Sequence, residues 1–257
     1  MAENLNPTKL EYYEEMWKLQ SNATLLSSFQ GEDGKQVLIL DSTIFHPQGG
    51  GQPADTGFIF NSDFKFSVQG VRSKDKIVYH YGFFENSENA VLESKIEKGA
   101  EVLLQVDGER RKLNSRLHSA GHLLDACTAI VGLGHLAPGK GYHFPAGPYV
   151  EYKGTVPQNE LQSKQQQLEL EANNLIAKGG KVFASVLPYN EAAALCDGCL
   201  PDYIPKGSNP RIIKLGEQPG CPCGGTHVSD ISEILGVKVS QIRVKKGMTK
   251  VFYNVEP

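Results

Sequence analysis

Short apolar or alternating runs, separated by Gly, Asp, Asn and Ser, dominate the first hundred residues. Runs of this length and spacing are typical of strands in a small barrel or sandwich. The segment Lys9–Trp17 fits either a strand or a short helix. We therefore expect residues 1–106 to form a glycine-rich, β-barrel-like domain. The predicted strands are Val37–Leu40, Phe58–Phe60, Phe64–Val71, Ile77–Tyr81 and Val102–Val106.

The hydrophobic period changes just after Val106. Apolar residues then recur at steps of three and four, which is the pattern of an amphipathic helix, and Gly132 and Gly134 mark its end. A second helix is predicted over Pro157–Lys178, because proline begins the segment and a Gly-Gly pair follows it. The apolar positions of the first helix are Leu113, Leu117, Ala120, Leu124, Cys127 and Val131.

Strand-like segments surround short helical or loop pieces in the rest of the chain. The last two segments are joined by residues 245–249 and predict a hairpin. Residues 107–257 are therefore predicted as an α+β domain, with helices packed on a mostly antiparallel sheet. The segments are Val182–Leu187, Arg211–Leu215, Val237–Val244 and Val251–Val255.

Composition and charge narrow the class of protein. Of the 257 residues, 40% are hydrophobic and 21% are charged, which is typical of a globular protein. The net charge of −3 means that a polyanionic partner would have to meet a local basic patch. No apolar run approaches the roughly 18–20 residues that span a bilayer, and the five cysteines are an odd count that cannot all pair within one chain. We expect an intracellular, cytoplasmic protein.

Two pairs of residues have the spacing of metal ligands. His118 and His122 lie one turn apart on the first predicted helix, so both imidazoles can converge on one ion. Two glycines between Cys223 and His227 let the backbone curl until a thiolate and an imidazole face the same point. This Cys-His₃ set predicts a Zn²⁺ site. It is not a zincin site, because Ser119 stands where the zincin helix carries its glutamate.

A glycine-rich element lies upstream. Three successive glycines, Gly49–Gly51, allow the backbone to pass close to a ligand or another strand, and Gln52 could present its amide there. The spacing of a P-loop is absent, so nucleotide binding of that type is excluded.

Three motifs in order resemble the editing domain of alanyl-tRNA synthetase and its free-standing relatives, the AlaX alanyl-tRNA editing proteins. The resemblance runs from about Lys9 to Val255 and implies a medium-length, free-standing form that edits in trans. It also implies that the glycine-rich element lines the editing pocket, with Thr43 and Gln52 as candidates for sensing a small polar amino acid. The motifs are Thr43 to Gly57, His118-Ser-Ala-Gly-His122 and Cys223-Gly-Gly-Thr-His227.

The activity that the resemblance implies is deacylation of mischarged tRNA(Ala), without ATP. Ser-tRNA(Ala) is the expected substrate and Gly-tRNA(Ala) a second one, because an alanine pocket cannot exclude glycine by size and discriminates poorly against serine. A zinc ion would lower the pKa of bound water to about 7 and so supply hydroxide at neutral pH. Four protein ligands describe a closed zinc site, whereas a catalytic zinc ion usually keeps one position free. Either one of the four candidates is not a ligand, in which case we expect it to be His227, or the ion becomes five-coordinate. No general base is assigned.

Two other interpretations stay open. Cys196 and Cys199 together with Cys221 and Cys223 could form a four-thiolate structural zinc site in a nucleic-acid-binding module without catalytic activity. Threonyl-tRNA synthetases carry a related editing domain, so a threonyl-type substrate is the other alternative.

Basic clusters at the first helix and at the last hairpin are candidates for contact with the acceptor end of tRNA, because phosphates require such patches. The remaining histidines have no partner at ligand spacing and are left outside the predicted site. The basic candidates are Arg110, Arg111, Lys112, Arg116, Arg243, Lys245, Lys246 and Lys250; the excluded histidines are His46, His80, His135 and His143.

Overall fold

The computed structural model describes residues 5–31, 34–85 and 97–256. The chain divides into two compact units. The first unit comprises the described residues up to Gly49 together with Pro53–Arg111. The second comprises Gly50–Gln52 and the described residues from Lys112 onwards. The end of the glycine-rich element therefore belongs to the second unit, although its neighbours in sequence belong to the first.

A closed barrel of six strands forms most of the first unit, in the order β2-β3-β7-β6-β5-β8, and every neighbouring pair is antiparallel. The predicted α+β class with a barrel-like first domain is confirmed. The strands of this unit are β1 (Lys9–Leu10), β2 (Gln20–Gln30), β3 (Gln36–Leu40), β4 (Ser42–Thr43), β5 (Gly57–Phe60), β6 (Lys65–Lys74), β7 (Ile77–Phe84) and β8 (Glu101–Val106), and Glu11–Tyr13 forms a 3₁₀ turn.

Strand β2 is a long barrel strand that the sequence analysis missed. Its eleven residues are rich in Ser, Asn, Thr and Gln, so neither a strict alternation nor an apolar run marks it. Ala23 and Leu25 nevertheless point into the barrel core. Pairing with β3 and β8 on its two sides decides the conformation of this segment, because strand preference depends strongly on neighbouring strands.

Arg111 and Asp55 form a buried ion pair in the first unit. Nη2 of Arg111 lies 2.5 Å from Oδ2 of Asp55, and the two side chains are 4% and 0% exposed. The guanidinium also donates to the backbone carbonyls of Met16 and Ile44, and Asp55 accepts from the backbone N–H of His46. The prediction that Arg111 contacts tRNA is wrong, because its guanidinium is occupied inside the barrel unit.

Two long helices confirm the predicted helical segments. Helix α1 (Gly108–Ile130) supplies the second unit with its residues from Lys112 onwards. Its Leu117 and Leu124 are buried as predicted, whereas Leu113 is 37% exposed. Helix α2 (Leu161–Lys178) follows a 3₁₀ turn, Gln158–Glu160, and a shorter helix, α3, spans Tyr189–Leu195. Within the described ranges, no helix combines the length and apolar character needed to cross a membrane.

Two antiparallel sheets complete the second unit, one of four strands in the order β14-β15-β10-β9 and one of three in the order β11-β12-β13. The inner face of the four-stranded sheet packs on α1, where Tyr152 donates to Oδ1 of Asp125 and Tyr253 donates to the carbonyl of Leu117. The strands are β9 (Ala137–Tyr142), β10 (Tyr149–Lys153), β11 (Val182–Val186), β12 (Arg211–Leu215), β13 (Cys221–Pro222), β14 (Val237–Lys245) and β15 (Met248–Val255), and Ile231–Ile234 is a 3₁₀ helix.

The predicted C-terminal hairpin is present, and its turn is tighter than expected. Lys245 pairs with Met248, which leaves Lys246 and Gly247 as the two turn residues. Both have positive φ, at 50° and 75°, the geometry that favours glycine in such turns. Strand β9 was not predicted, because its sequence, APGKGY, has no strand-like pattern and all six residues are exposed.

Replacing Asp55 by alanine should lower the free energy of unfolding by about 3–5 kcal/mol, because it leaves the buried charge of Arg111 without its partner. The exposed pair of Lys238 and Glu169 is a matched control, and Lys238→Ala should cost less than about 1 kcal/mol. Urea unfolding of the three proteins measures both values. Equal losses in the two variants would contradict the role assigned to the buried pair.

Candidate metal centre

The four residues that the sequence proposes as zinc ligands come together in the second unit. His118 and His122 stack on adjacent turns of α1, with ring centroids 5.0 Å apart. Cys223 and His227 lie on the loop between β13 and the 3₁₀ helix at Ile231. One ligand atom from each residue lies within 4.8 Å of the others. This arrangement could hold a metal ion, and metal binding itself stays a prediction.

The glycines of the Cys223 loop allow the close approach. A Cβ on Gly225 would lie 2.2 Å from Cε1 of His118 and 2.7 Å from Oε1 of Gln52. Arg211 donates to the backbone carbonyls of Cys223 and Gly225 and so fixes the curl of the loop. The loop can therefore pass over the His118 ring only with glycine at position 225.

Hydrogen bonds orient two of the rings. Nδ1 of His118 lies 2.7 Å from Oε1 of Gln52, which also accepts from the backbone N–H of Thr226. Nδ1 of His227 lies 3.1 Å from the hydroxyl of Ser119. These contacts engage Nδ1 in both rings, and each Nε2 lies within 3.5 Å of Cys223 Sγ. Such outer contacts fix ring orientation and tautomer in metal sites.

The remaining ring gives the most direct test of whether a cation fits. Nε2 of His122 is buried and has no hydrogen-bond partner among the residues that the structure describes. Burial lowers the pKa of His122 to about 4, so the imidazole is neutral at physiological pH and can donate a lone pair. Burial also raises the pKa of the Cys223 thiol, a penalty that a bound cation would reverse. Three imidazoles and one sulfur are a donor set that Zn²⁺ takes.

A cavity of about 500 Å³ is lined by three of the four candidate ligands, His118, His122 and Cys223. Gly50 and Gly51 line it, which agrees with the expectation that the glycine-rich element contacts a pocket. A Cβ on Gly51 would lie 2.3 Å from the carbonyl oxygen of Gly141, so the close backbone approach predicted for this element is present. The lining also includes Asp125, His143, Val150, Glu151, Tyr203 and the β9 residues Pro138–Gly141.

Asp125, which the sequence analysis did not single out, and His143, which it left outside the predicted site, both line this cavity. Asp125 follows His122 by three residues, a helical spacing that could have pointed to it, and burial raises its pKa to about 6. His143 stacks on His118 with centroids 4.4 Å apart and bonds through Nδ1 to the hydroxyl of Tyr253 at 2.7 Å. Gly121 leaves the room for it, since a Cβ there would lie 2.4 Å from the His143 ring.

Thr43 and Gln52, the two predicted specificity residues, are both fully buried. Thr43 belongs to the barrel unit, where its hydroxyl lies 2.9 Å from Nε2 of His80 and accepts from the backbone N–H of Phe45. Gln52 belongs to the second unit, where its amide bonds to His118 and Thr226. Their role in sensing the amino acid stays a prediction, and Gln52 has in addition a structural partner in the cluster.

The four cysteines of the rival zinc site do not form a shared group of metal ligands among the described residues. Cys196 packs in an apolar cluster with Ala192, Leu200 and Ile212, and Cys199 is exposed. Cys221 places its sulfur 3.3 Å from Nδ1 of His122. In the part of the chain that the structure describes, the group able to hold a metal includes Cys223 and none of these three.

The basic candidates at α1 divide into two kinds. Arg116 is buried and donates to the backbone carbonyls of Ile234 and Glu256, so the prediction that it contacts tRNA is wrong, as for Arg111. Arg110 and Lys112 are exposed. The hairpin residues Arg243, Lys245 and Lys246 are exposed and Lys250 is half-buried, and their contact with tRNA stays a prediction.

Comparison with known proteins supports the resemblance. A sequence profile of the family described as "tRNA synthetases class II (A)" matches residues 2–110. Alanine–tRNA ligases match most of the chain: that of Methanosarcina mazei is 29% identical over 96% of it, that of Leptospira biflexa 30% over 82%, and that of Sulfurisphaera tokodaii 28% over 98%. The chain spans about a quarter of the length of these relatives, 22–27%. The predicted similarity to an AlaX-like alanyl-tRNA editing domain is confirmed.

We expect the purified protein to contain one zinc ion per chain by plasma mass spectrometry. The ion should be lost from a His118→Ala/His122→Ala variant, because two of the four donors are removed. It should be kept in Cys196→Ser/Cys199→Ser, the matched control on the rival cysteine pair. Zinc that is kept in the histidine variant and lost from the cysteine variant would show that the cysteines bind the metal instead.

Proposed function

We propose that this AlaX-like chain is an aminoacyl-tRNA deacylase that acts in trans, in the cytoplasm, on mischarged tRNA(Ala). The observation that carries the proposal is the cluster of His118, His122, Cys223 and His227, two of them buried and two half-buried, beside a cavity of about 500 Å³. Similarity to alanine–tRNA ligases over most of the chain supports tRNA(Ala) rather than a threonyl substrate. The cavity is of a size that encloses small ligands.

Zn²⁺ bound at the cluster would act as a Lewis acid, which lowers the pKa of bound water to about 7 and polarises an ester carbonyl. The protein's part is to hold the donors in place. Gln52 and Ser119 orient His118 and His227 through their Nδ1 atoms. Asp125 places a carboxylate on the cavity wall, where it can accept a proton or hold water.

The number of donors bears on catalysis. His227 is fully buried, and its Nε2 lies 3.4 Å from Cys223 Sγ. These contacts support His227 as a donor like the other three. With all four residues as donors, catalysis would require the ion to accept a further ligand, since four protein donors alone describe a closed structural site.

Serine is the proposed amino acid that the site removes. A pocket built to hydrogen-bond the serine hydroxyl is left with unpaired polar groups when alanine enters, and such groups are costly when buried. This asymmetry would spare the correct alanyl ester. Glycine lacks both the methyl group and the hydroxyl, so Gly-tRNA(Ala) is the second proposed substrate.

Release of amino acid from Ser-tRNA(Ala), Gly-tRNA(Ala), Ala-tRNA(Ala) and Ser-tRNA(Thr) tests the proposal. We expect the seryl ester on tRNA(Ala) to be cleaved, the alanyl ester to be spared and Ser-tRNA(Thr) to react far more slowly. Prior treatment with a chelator should abolish cleavage, and added Zn²⁺ should restore it. Zinc-loaded protein that leaves Ser-tRNA(Ala) intact would support a structural zinc module, and preference for Ser-tRNA(Thr) would support the threonyl alternative.

Thr43→Val and Gln52→Ala test the two predicted specificity residues. Thr43→Val should lower cleavage of the seryl ester at least tenfold relative to the glycyl ester, because only serine offers a hydroxyl. Gln52→Ala should lower both rates and weaken metal binding by about 10–100-fold, because His118 loses its partner. Thr8→Val is the control, a buried threonine of the barrel unit that bonds to Leu40 and Val78. Unchanged rates in both test variants would remove these residues from the mechanism.

A further inference from the structure

The outer face of the four-stranded sheet carries a row of aromatic side chains that the proposed chemistry does not use. Along β15, Thr249, Val251 and Tyr253 are buried, so Lys250 and Phe252 between them point to the opposite face. Phe252, Tyr149 and Tyr142 lie side by side on three neighbouring strands, because Tyr149 pairs with both of the others.

These rings contact one another along the row: Tyr142 is stacked on Tyr149 and on Phe144, whereas the Phe252 ring is tilted by 52° relative to Tyr149. The centroids of Phe252 and Tyr149 are 5.4 Å apart, those of Tyr149 and Tyr142 are 5.3 Å apart, and those of Tyr142 and Phe144 are 4.5 Å apart. We name these four residues the aromatic row. Its members are partly exposed, and Tyr142 is 37% exposed. Partly exposed aromatic side chains in a row are the feature on which unpaired nucleotide bases stack.

Cations accompany the row. The Arg243 guanidinium lies 5.3 Å from the Phe252 ring centroid, and Nζ of Lys250 lies 3.9 Å from that of Tyr149. Exposed Lys153, Lys245 and Lys246 lie at the hairpin end of the same sheet. We name these five residues the basic cluster.

The charge of this face is opposite to that of the whole chain. Glu151 is the one acidic residue in β9, β10, β14 and β15, and it pairs with Lys250 at 3.3 Å. The chain as a whole carries a net charge of −3. The face is therefore a local positive patch of the kind that a polyanion requires.

The aromatic row leads to the candidate active site. Tyr142 ends strand β9, and the residues just before it, Pro138–Gly141, line the cavity beside the metal cluster. Val150 and Glu151 of β10 line the same cavity. A strand of nucleotides lying along the row would reach the mouth of this cavity.

We propose that the outer face of this sheet binds the single-stranded 3′ end of an RNA, with bases stacked on the aromatic row and phosphates held by the basic cluster. The inference deepens the proposed function and rests on it for the identity of the RNA as a tRNA. Single-stranded RNA fits better than a duplex, because paired bases do not expose their faces for stacking. A protein partner or a second copy of the chain are the competing occupants.

Fluorescence anisotropy with a short fluorescein-labelled single-stranded RNA ending in CCA tests the proposal. Tyr149→Leu and Phe252→Leu should each weaken binding at least about fivefold, the low end for loss of one base–aromatic stack, without changing its salt dependence. Lys245→Gln/Lys246→Gln should flatten the slope of log K against log salt by about 1.4, which corresponds to two phosphate contacts on a single strand. The controls Phe183→Leu and Lys178→Gln, on the exposed surface of β11 and α2, should bind as the unaltered protein does.

Three results would overturn the docking surface. They are equal affinity of both aromatic variants and the unaltered protein, equal affinity for the same RNA annealed into a duplex, and a dimer in sedimentation that Phe252→Leu dissociates. Circular dichroism melts identify any variant that fails to fold, and Arg243→Gln, at an exposed position, then serves as the substitute and should also weaken binding.

The test separates this inference from the proposed function, since the RNA probe carries no amino acid and its binding involves no cleavage of an ester. Binding that depends on the row in a protein without deacylase activity would leave the docking surface standing and remove the proposed function. Deacylation by a protein whose RNA binding does not depend on the aromatic row would support the proposed function and contradict the docking surface.

Discussion

One ligand atom from each of three imidazole rings and one thiol lies within 4.8 Å of the others inside the second unit. Many of the contacts around these four groups hold them in this arrangement. Buried polar groups are costly unless each finds a partner. Gln52 and Ser119 provide partners for one nitrogen of His118 and of His227, whereas Nε2 of His122 has no partner in the described part of the chain. A bound cation would resolve this imbalance for all four side chains at once.

Glycine appears in the motifs where the interior leaves no space for a Cβ. Gly225 lets the Cys223 loop pass over the His118 ring, and Gly121 makes room on α1 for His143. Gly51 allows the turn of the glycine-rich element to approach the carbonyl of Gly141. Each of these glycines thus lies at a close contact between segments that are distant in sequence.

Basic residues serve two different ends in this protein. Arg111 and Arg116 are buried and bind carboxylate or carbonyl oxygens, so they stabilise the fold. Lys245 and Lys246 are exposed at the end of the last hairpin. Sequence position alone does not separate the two kinds, because the charge is identical and only burial and the available acceptors differ.

The sequence by itself determined the local features of this protein. Helical periodicity placed His118 and His122 one turn apart, the Gly-Gly pair gave the curl between Cys223 and His227, and apolar runs gave most of the barrel strands, because each of these depends on neighbours a few residues away. Tertiary structure alone decided what depends on distant partners. The polar strand β2, the pairing of Gln52 with His118, the place of His143 against the same ring and the burial of Arg111 all rest on contacts between segments that no local pattern encodes.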